Sequence, residues 1–149
     1  MRLRSTLSTR AESTESGTDA EYVVLGGGHV GASVARALRA AGHTVTVVDE
    51  THDPDDLPGI RGDPTDRRTL DAAGITDATT VVVAMPRDRQ SLLVAGLVRA
   101  NFDVADVRVL VRTPERCDLV ADAGHEPICA TTALSDAVVA DLEVLREPA

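Results

Sequence analysis

The sequence predicts an α/β fold, a doubly wound parallel six-stranded sheet in a single domain. Three observations carry that expectation. Apolar runs of strand length alternate with amphipathic stretches of helical length, the rhythm of repeated βα units. The apolar fraction is 43% but aromatics make up only 1%, so the core must be Val, Ala, Leu and Ile, which suit a sheet buried on both faces. A glycine-rich turn, Gly26-Gly27-Gly28-His29-Val30-Gly31, ends the first apolar run and opens the first helical one, which makes the fold Rossmann-type.

Residues 1 to about 20 are rich in Ser, Thr and charge, with Leu3 and Leu7 the sizeable apolars after Met1. They read as a disordered tail that buries too little surface to offset its ordering entropy, or as a docking peptide. From Glu21 the pattern changes, and 21–149 reads as the folded domain. YVVLGG (22–27) is a buried strand closed by glycines. VGASVARALRAAG (30–42) is a helix with Val30, Val34, Leu38 and Ala41 at helical spacing, stopped by Gly42. HTVTVVDE (43–50) is a strand ending in acid, and Asp53 to Pro58 is a polar loop. GIRGDPTDRRTL (59–70) gives a short strand, a turn, and a helix starting near Thr65 or Asp66.

TTVVVAM (79–85) is the fourth strand, followed by a helix over 88–100 with Leu92, Ala95, Leu97 and Val98 inward. DVRVLV (106–111) is the fifth, and Thr113-Pro114 starts a helix over 114–124. EPICAT (126–131) is the sixth, and ALSDAVVADLEVL (133–145) the closing helix. No second domain is expected after it. The strand order should be 3-2-1-4-5-6, with a ligand held where the order reverses.

The net charge is −9, and all fifteen basic residues are Arg. Such an acidic surface repels phosphodiester backbones, so nucleic acid is not expected as a partner. High Asp without Lys points to a salt-loving source, or to a GC-rich genome that encodes Arg in place of Lys. No apolar run approaches the ~20 residues that span a bilayer, and the N-terminus lacks a secretory apolar segment. A cytoplasmic protein follows, with any membrane role exercised through a partner. Cys117 and Cys129 have no metal or CxxC spacing and read as two structural thiols. His43, His52 and His125 are scattered without metal-ligand spacing, so no metal is expected.

The chemistry concentrates on the glycine turn. Gly26 would permit the tight turn after the strand, Gly28 the approach of a pyrophosphate, and Gly31 close packing of helix on sheet. Helix N–H groups and the positive dipole end would face the phosphates. Asp49 ends the second strand and would accept bonds from ribose hydroxyls, its charge disfavouring a 2′-phosphate. His29 would donate to a phosphate or stand as an exposed cap residue.

GGGHVG, the acid of VVDE, GDPTD (62–66), AGI (73–75) and VVVAM (81–85) form a series. It resembles the N-terminal domain of the regulator-of-potassium-conductance family (RCK N, or TrkA-N) over about 21–145. That resemblance implies that Asp49 binds the adenine-side ribose with Glu50 alongside, and that Asp63 and Pro64 lie along the adenine. It implies that Met85 and the following Pro86 lie near the phosphates or second ribose, and Arg112 near the phosphates or a dimer interface. Val30 belongs to the same glycine loop. Pro64 and Pro86 depart from the family pattern, and each lacks a backbone N–H. From the residues alone, Asp63 and Asp66 also suit turn and N-cap roles, and Arg112 a surface ion pair.

The resemblance implies a regulatory module in which NAD(H) or ATP, ADP or AMP shifts a homodimer that gates a potassium transporter or channel subunit. The last helix, with Leu134, Val138, Val139 and Leu142, would pair copies, or pack on its own sheet. An oxidoreductase is disfavoured, because without Lys no Tyr-x-x-x-Lys pair exists. A DNA-binding redox regulator would need a basic face, which is missing.

Overall fold

The computed structural model describes residues 20–26, 28–53 and 55–146. The tail expected over residues 1–20 lies outside them except for Ala20, which is buried. Gly27 also lies outside.

The chain runs β1 (Tyr22–Leu25), α1 (Gly28–Ala40), β2 (Val45–Asp49), β3 (Gly59–Arg61), α2 (Arg67–Ala72) and a 3-10 turn at Ile75–Asp77. It continues with β4 (Thr80–Val83), α3 (Asp88–Asn101), β5 (Asp106–Val111), a 3-10 turn at Pro114–Arg116, α4 (Cys117–Asp122), β6 (Glu126–Cys129) and α5 (Ala130–Arg146). All pairings are parallel and the order is β3-β2-β1-β4-β5-β6, as the alternation predicts.

Successive strand residues point to opposite faces, which divides the core in two. On one face Val23, Leu25, Val81, Val83, Val107 and Val109 pack with Leu70 of α2, Val94 and Val98 of α3, and Val120 of α4. On the other, Val24, Val45 and Val47 pack with Ala35 of α1 and Leu57 of the loop before β3. In α3 the buried apolar residues are Val94, Ala95 and Val98, while Leu92 and Leu97 are half-buried.

Two expectations about α1 are corrected. Val30 and Ala41 are exposed, and the buried residues are Gly31 and Ala35. The helix presents its smallest side chains, so its axis comes down close to the sheet. A Cβ on Gly31 would stand 2.6 Å from the Gly26 carbonyl oxygen and 3.4 Å from Val24 Cγ1. Gly31→Ala should therefore cost about 1–3 kcal/mol through overpacking. A thermal melt should show the midpoint lowered by roughly 3–10 °C.

The closing helix does not take the second of its two expected roles, packing on its own sheet. α5 follows β6 directly, and every one of its residues from Thr131 to Arg146 is exposed. Leu134 (68%), Val138 (49%), Val139 (53%) and Leu142 (54%) keep much of their surface in water, so the stripe does not pack on its own sheet. Val82, Leu110 and Ile128 share the α1 face of the sheet, and each is only half-buried. Among the described residues no helix covers the part of that face formed by β4–β6.

Cys117 and Cys129 are also corrected. They are joined as a disulfide, with Cα atoms 6.1 Å apart, because β6 returns beside the start of α4. Among the described residues no helix is long and apolar enough to cross a membrane.

Candidate functional site

The sheet order reverses between β1 and β4, and the ends of both strands open there. Gly26 follows β1 in the left-handed region (φ +77°), where a Cβ would meet Met85 Sδ at 2.5 Å. Gly28 opens α1 at φ +50°, and nothing lies within 4 Å of where its Cβ would stand. The backbone is bare where a ligand would approach the helix N-terminus. Asp49, last in β2, points back to that terminus: its Oδ2 accepts from the Gly28 N–H at 3.4 Å and from the Thr51 hydroxyl at 3.2 Å.

The turn after β3 is held by its own side chains. Asp63 Oδ1 accepts from the Thr65 N–H at 2.9 Å and the Thr65 hydroxyl at 2.8 Å. Asp66 caps α2 by accepting from the Arg68 N–H at 3.0 Å, the N-cap role open to it from the sequence. Asp63 therefore spends one oxygen on the turn. Met85 is fixed from below, its N–H donating to the buried Ser91 hydroxyl at 3.1 Å.

Gly28, Asp49, Glu50, Asp63, Pro64 and Met85 line one cavity of about 500 Å³. Thr51, Thr65, Pro86, Gln90 and Leu93 complete it. Gly26 and Gly31 lie beneath it as packing residues, while His29 and Val30 are exposed on the first turn of α1 and do not line it. The sequence reading missed Thr51, Thr65, Gln90 and Leu93. The two threonines each follow a named acid by two positions, a usable signal; Gln90 and Leu93 come from α3 and had none.

Arg112 stands in a second cavity of about 380 Å³ that meets the first at Pro86. Arg87, Asp88, Arg89, Thr113 and Arg116 share it. Among the described residues none of these four guanidinium groups makes an ion pair, so Arg112 is not the surface pair considered from the sequence. In a chain of net charge −9 they form a local positive field with the fork geometry that suits phosphate.

Asp88 organises this wall. It is 5% exposed and accepts from the Arg112 N–H and the Thr113 N–H, each at 2.9 Å. Burial pushes its carboxyl up, but the two backbone donors, the Thr113 hydroxyl and the Arg116 charge together hold it below its ordinary range. It stays ionised, and its two bonds hold the backbone of Arg112 and Thr113 where β5 ends. Carboxylates at one end and arginines at the other, in cavities that meet at Pro86 with the open Gly28 backbone in the first, have the chemistry to fit a nucleotide lying along both.

The model of the TrkA-N domain family matches residues 22–131. The Trk system potassium uptake protein TrkA of Streptomyces coelicolor is 30% identical over 111 residues, 68% of this chain and 49% of that protein. The chain spans about half the length of the curated relatives it matches. Solved structures share the fold. The NAD(P)-binding domain of an exopolyphosphatase-related protein from Archaeoglobus fulgidus has a TM-score of 0.75 at 23% identity, covering 83% of this chain and 98% of that one. The Kef CTD of Shewanella denitrificans in its AMP-bound form has a TM-score of 0.71 at 20% identity, covering 85% and 81%. The chain belongs to the TrkA-N domain family.

Proposed function

We propose that this chain is a cytoplasmic regulatory module of a potassium transport system, in which an adenine nucleotide or NAD(H) biases the arrangement of a homodimer. The observation that carries the nucleotide part is the pair of adjoining cavities, acidic at the Asp49–Asp63 end and cationic at the Arg112 end. The adenosine half would lie by Asp49, Glu50 and Asp63, with its ribose hydroxyls donating to Asp49. The phosphates would pass the open Gly28 backbone towards Met85 and Arg112. Pro64 and Pro86 have no N–H to give, so side chains and α1 must supply the donors there. The potassium part is supported by the names of the curated relatives that the chain matches.

The dimer reading is supported by two surfaces, incompletely covered among the described residues, that match in chemistry. One is the α5 stripe; the other is the open sheet face with Val82, Leu110 and Ile128. At about 100° per residue, Leu134, Val138, Leu142 and Leu145 fall within about 80° of arc, wide enough for a helix contact. A second copy laying its α5 across this face would bury both surfaces twice over. A nucleotide would regulate such a dimer only by binding one arrangement better than another.

Calorimetric titration of the full chain in high salt with ATP, ADP, AMP, NAD⁺ and NADH tests the site. At least one should bind, and Asp49→Ala should weaken it by about 10–100-fold, the worth of a bond to a charged acceptor. Heats indistinguishable from dilution for all five would end the nucleotide reading.

A further inference from the structure

We propose that Cys117 and Cys129 form a reversible redox lock on the root of α5. Cys129 is the last residue of β6, and α5 begins at the next residue. Beyond that junction the helix has no buried residue, so its direction is set where it leaves the sheet. Cys117 is the first residue of α4, which is anchored in the core by the fully buried Val120. The bond between them ties the take-off point of a loosely held helix to a firmly held one. It also lies next to the cationic cavity, because Arg116, one of that cavity's guanidinium groups, immediately precedes Cys117. Both cysteines are half-buried, which leaves the pair open to small reagents.

The reaction is exchange with a low-molecular-weight disulfide. One cysteine thiolate attacks it, breaking its S–S bond and releasing one small thiol. The second cysteine then attacks the mixed disulfide and releases another. The protein pair is oxidised, and its two electrons and two protons leave on two small thiols. Excess small thiol reverses the reaction, which suits a pair that signals within a reducing compartment.

The lock rests on the placement of α5 and not on nucleotide binding, so its test needs no ligand. Full-length protein is equilibrated with oxidised or reduced glutathione, its thiols are counted, and amide hydrogen exchange is followed. Oxidation should consume both thiols and slow exchange in the first turns of α4 and α5 by at least tenfold. Amides of β1 and β4 should be unchanged, whereas general stabilisation would slow them too. Cys117→Ser and Cys129→Ser should each exchange like the reduced protein under both conditions. Thiols that stay free in oxidised glutathione, or α5 exchange that is equal in both states, would overturn the lock. Sedimentation of the same samples reports separately on pairing: monomers throughout would sink the dimer reading and leave the lock standing.

Discussion

Asp88→Ala is expected to lower the unfolding free energy by about 3–4 kcal/mol, the largest loss from any single polar residue here. Two part-buried backbone donors, the Arg112 and Thr113 N–H groups, would lose their buried acceptor, and bonds to a charged acceptor are each worth about 1.5–3 kcal/mol. The contribution should also depend on pH. The folded carboxyl titrates below its ordinary 3.8, so the stabilisation is fully present above that value and is lost as pH falls from there through the folded value. Denaturant midpoints of wild type and variant, measured from neutral pH downward, should differ by a constant amount until about pH 5 and by progressively less as pH falls below 3.8. A gap that persists unchanged into strong acid would mean the carboxylate charge is not what holds the β5 terminus. Asp88→Asn keeps one acceptor and should lose about half as much.

The second large effect concerns α5. Replacing Val138 and Leu142 together by Asp should raise the dimer dissociation constant at least about 100-fold, since burying two such side chains is worth about 3–5 kcal/mol. Sedimentation equilibrium measures this directly. The thermal midpoint of the monomeric variant should barely move from that of wild-type monomer, because neither residue is part of either core cluster. A drop of the size seen for a core truncation would mean the helix folds back on its own sheet in solution, and the pairing of copies would need another surface.

The order and type of the elements were legible because valine-rich strands and helix-spaced segments differ in period, and glycine marks their joints. The spacing of Gly26, Gly28 and Gly31 before Asp49 pointed to Gly28 and Asp49 of the first cavity, while Glu50, Asp63, Pro64 and Met85 came from the family resemblance. The arginine wall was hidden for a geometric reason. Arg87 and Arg89 follow β4, Arg112 and Arg116 follow β5, and only parallel pairing of those strands brings their ends together. The disulfide was hidden in the same way, by the return of β6 beside α4. The outward-facing α5 could not be told from an inward-facing one, since an apolar stripe looks alike whether it meets its own sheet or a neighbour. In α1 the helical spacing of Val30, Val34, Leu38 and Ala41 placed Val30 and Ala41 inward, whereas the fully buried positions are Ala35 and Gly31, whose close packing the glycine turn had implied.

The two outermost strands bear on how copies of this protein associate. β3 has three residues and β6 has four, with Pro127 in the second position. A rim so short, and on one side lacking an amide donor, is a poor template for an incoming strand. Growth by endless sheet extension is thereby discouraged at both ends. The proposed association through α5 would be different in kind, because a two-fold pair covers both of these apolar surfaces and leaves neither to recruit a third copy. If copies pair through α5 as proposed, assembly would stop at two and a valine-rich chain would be kept from running on into fibres.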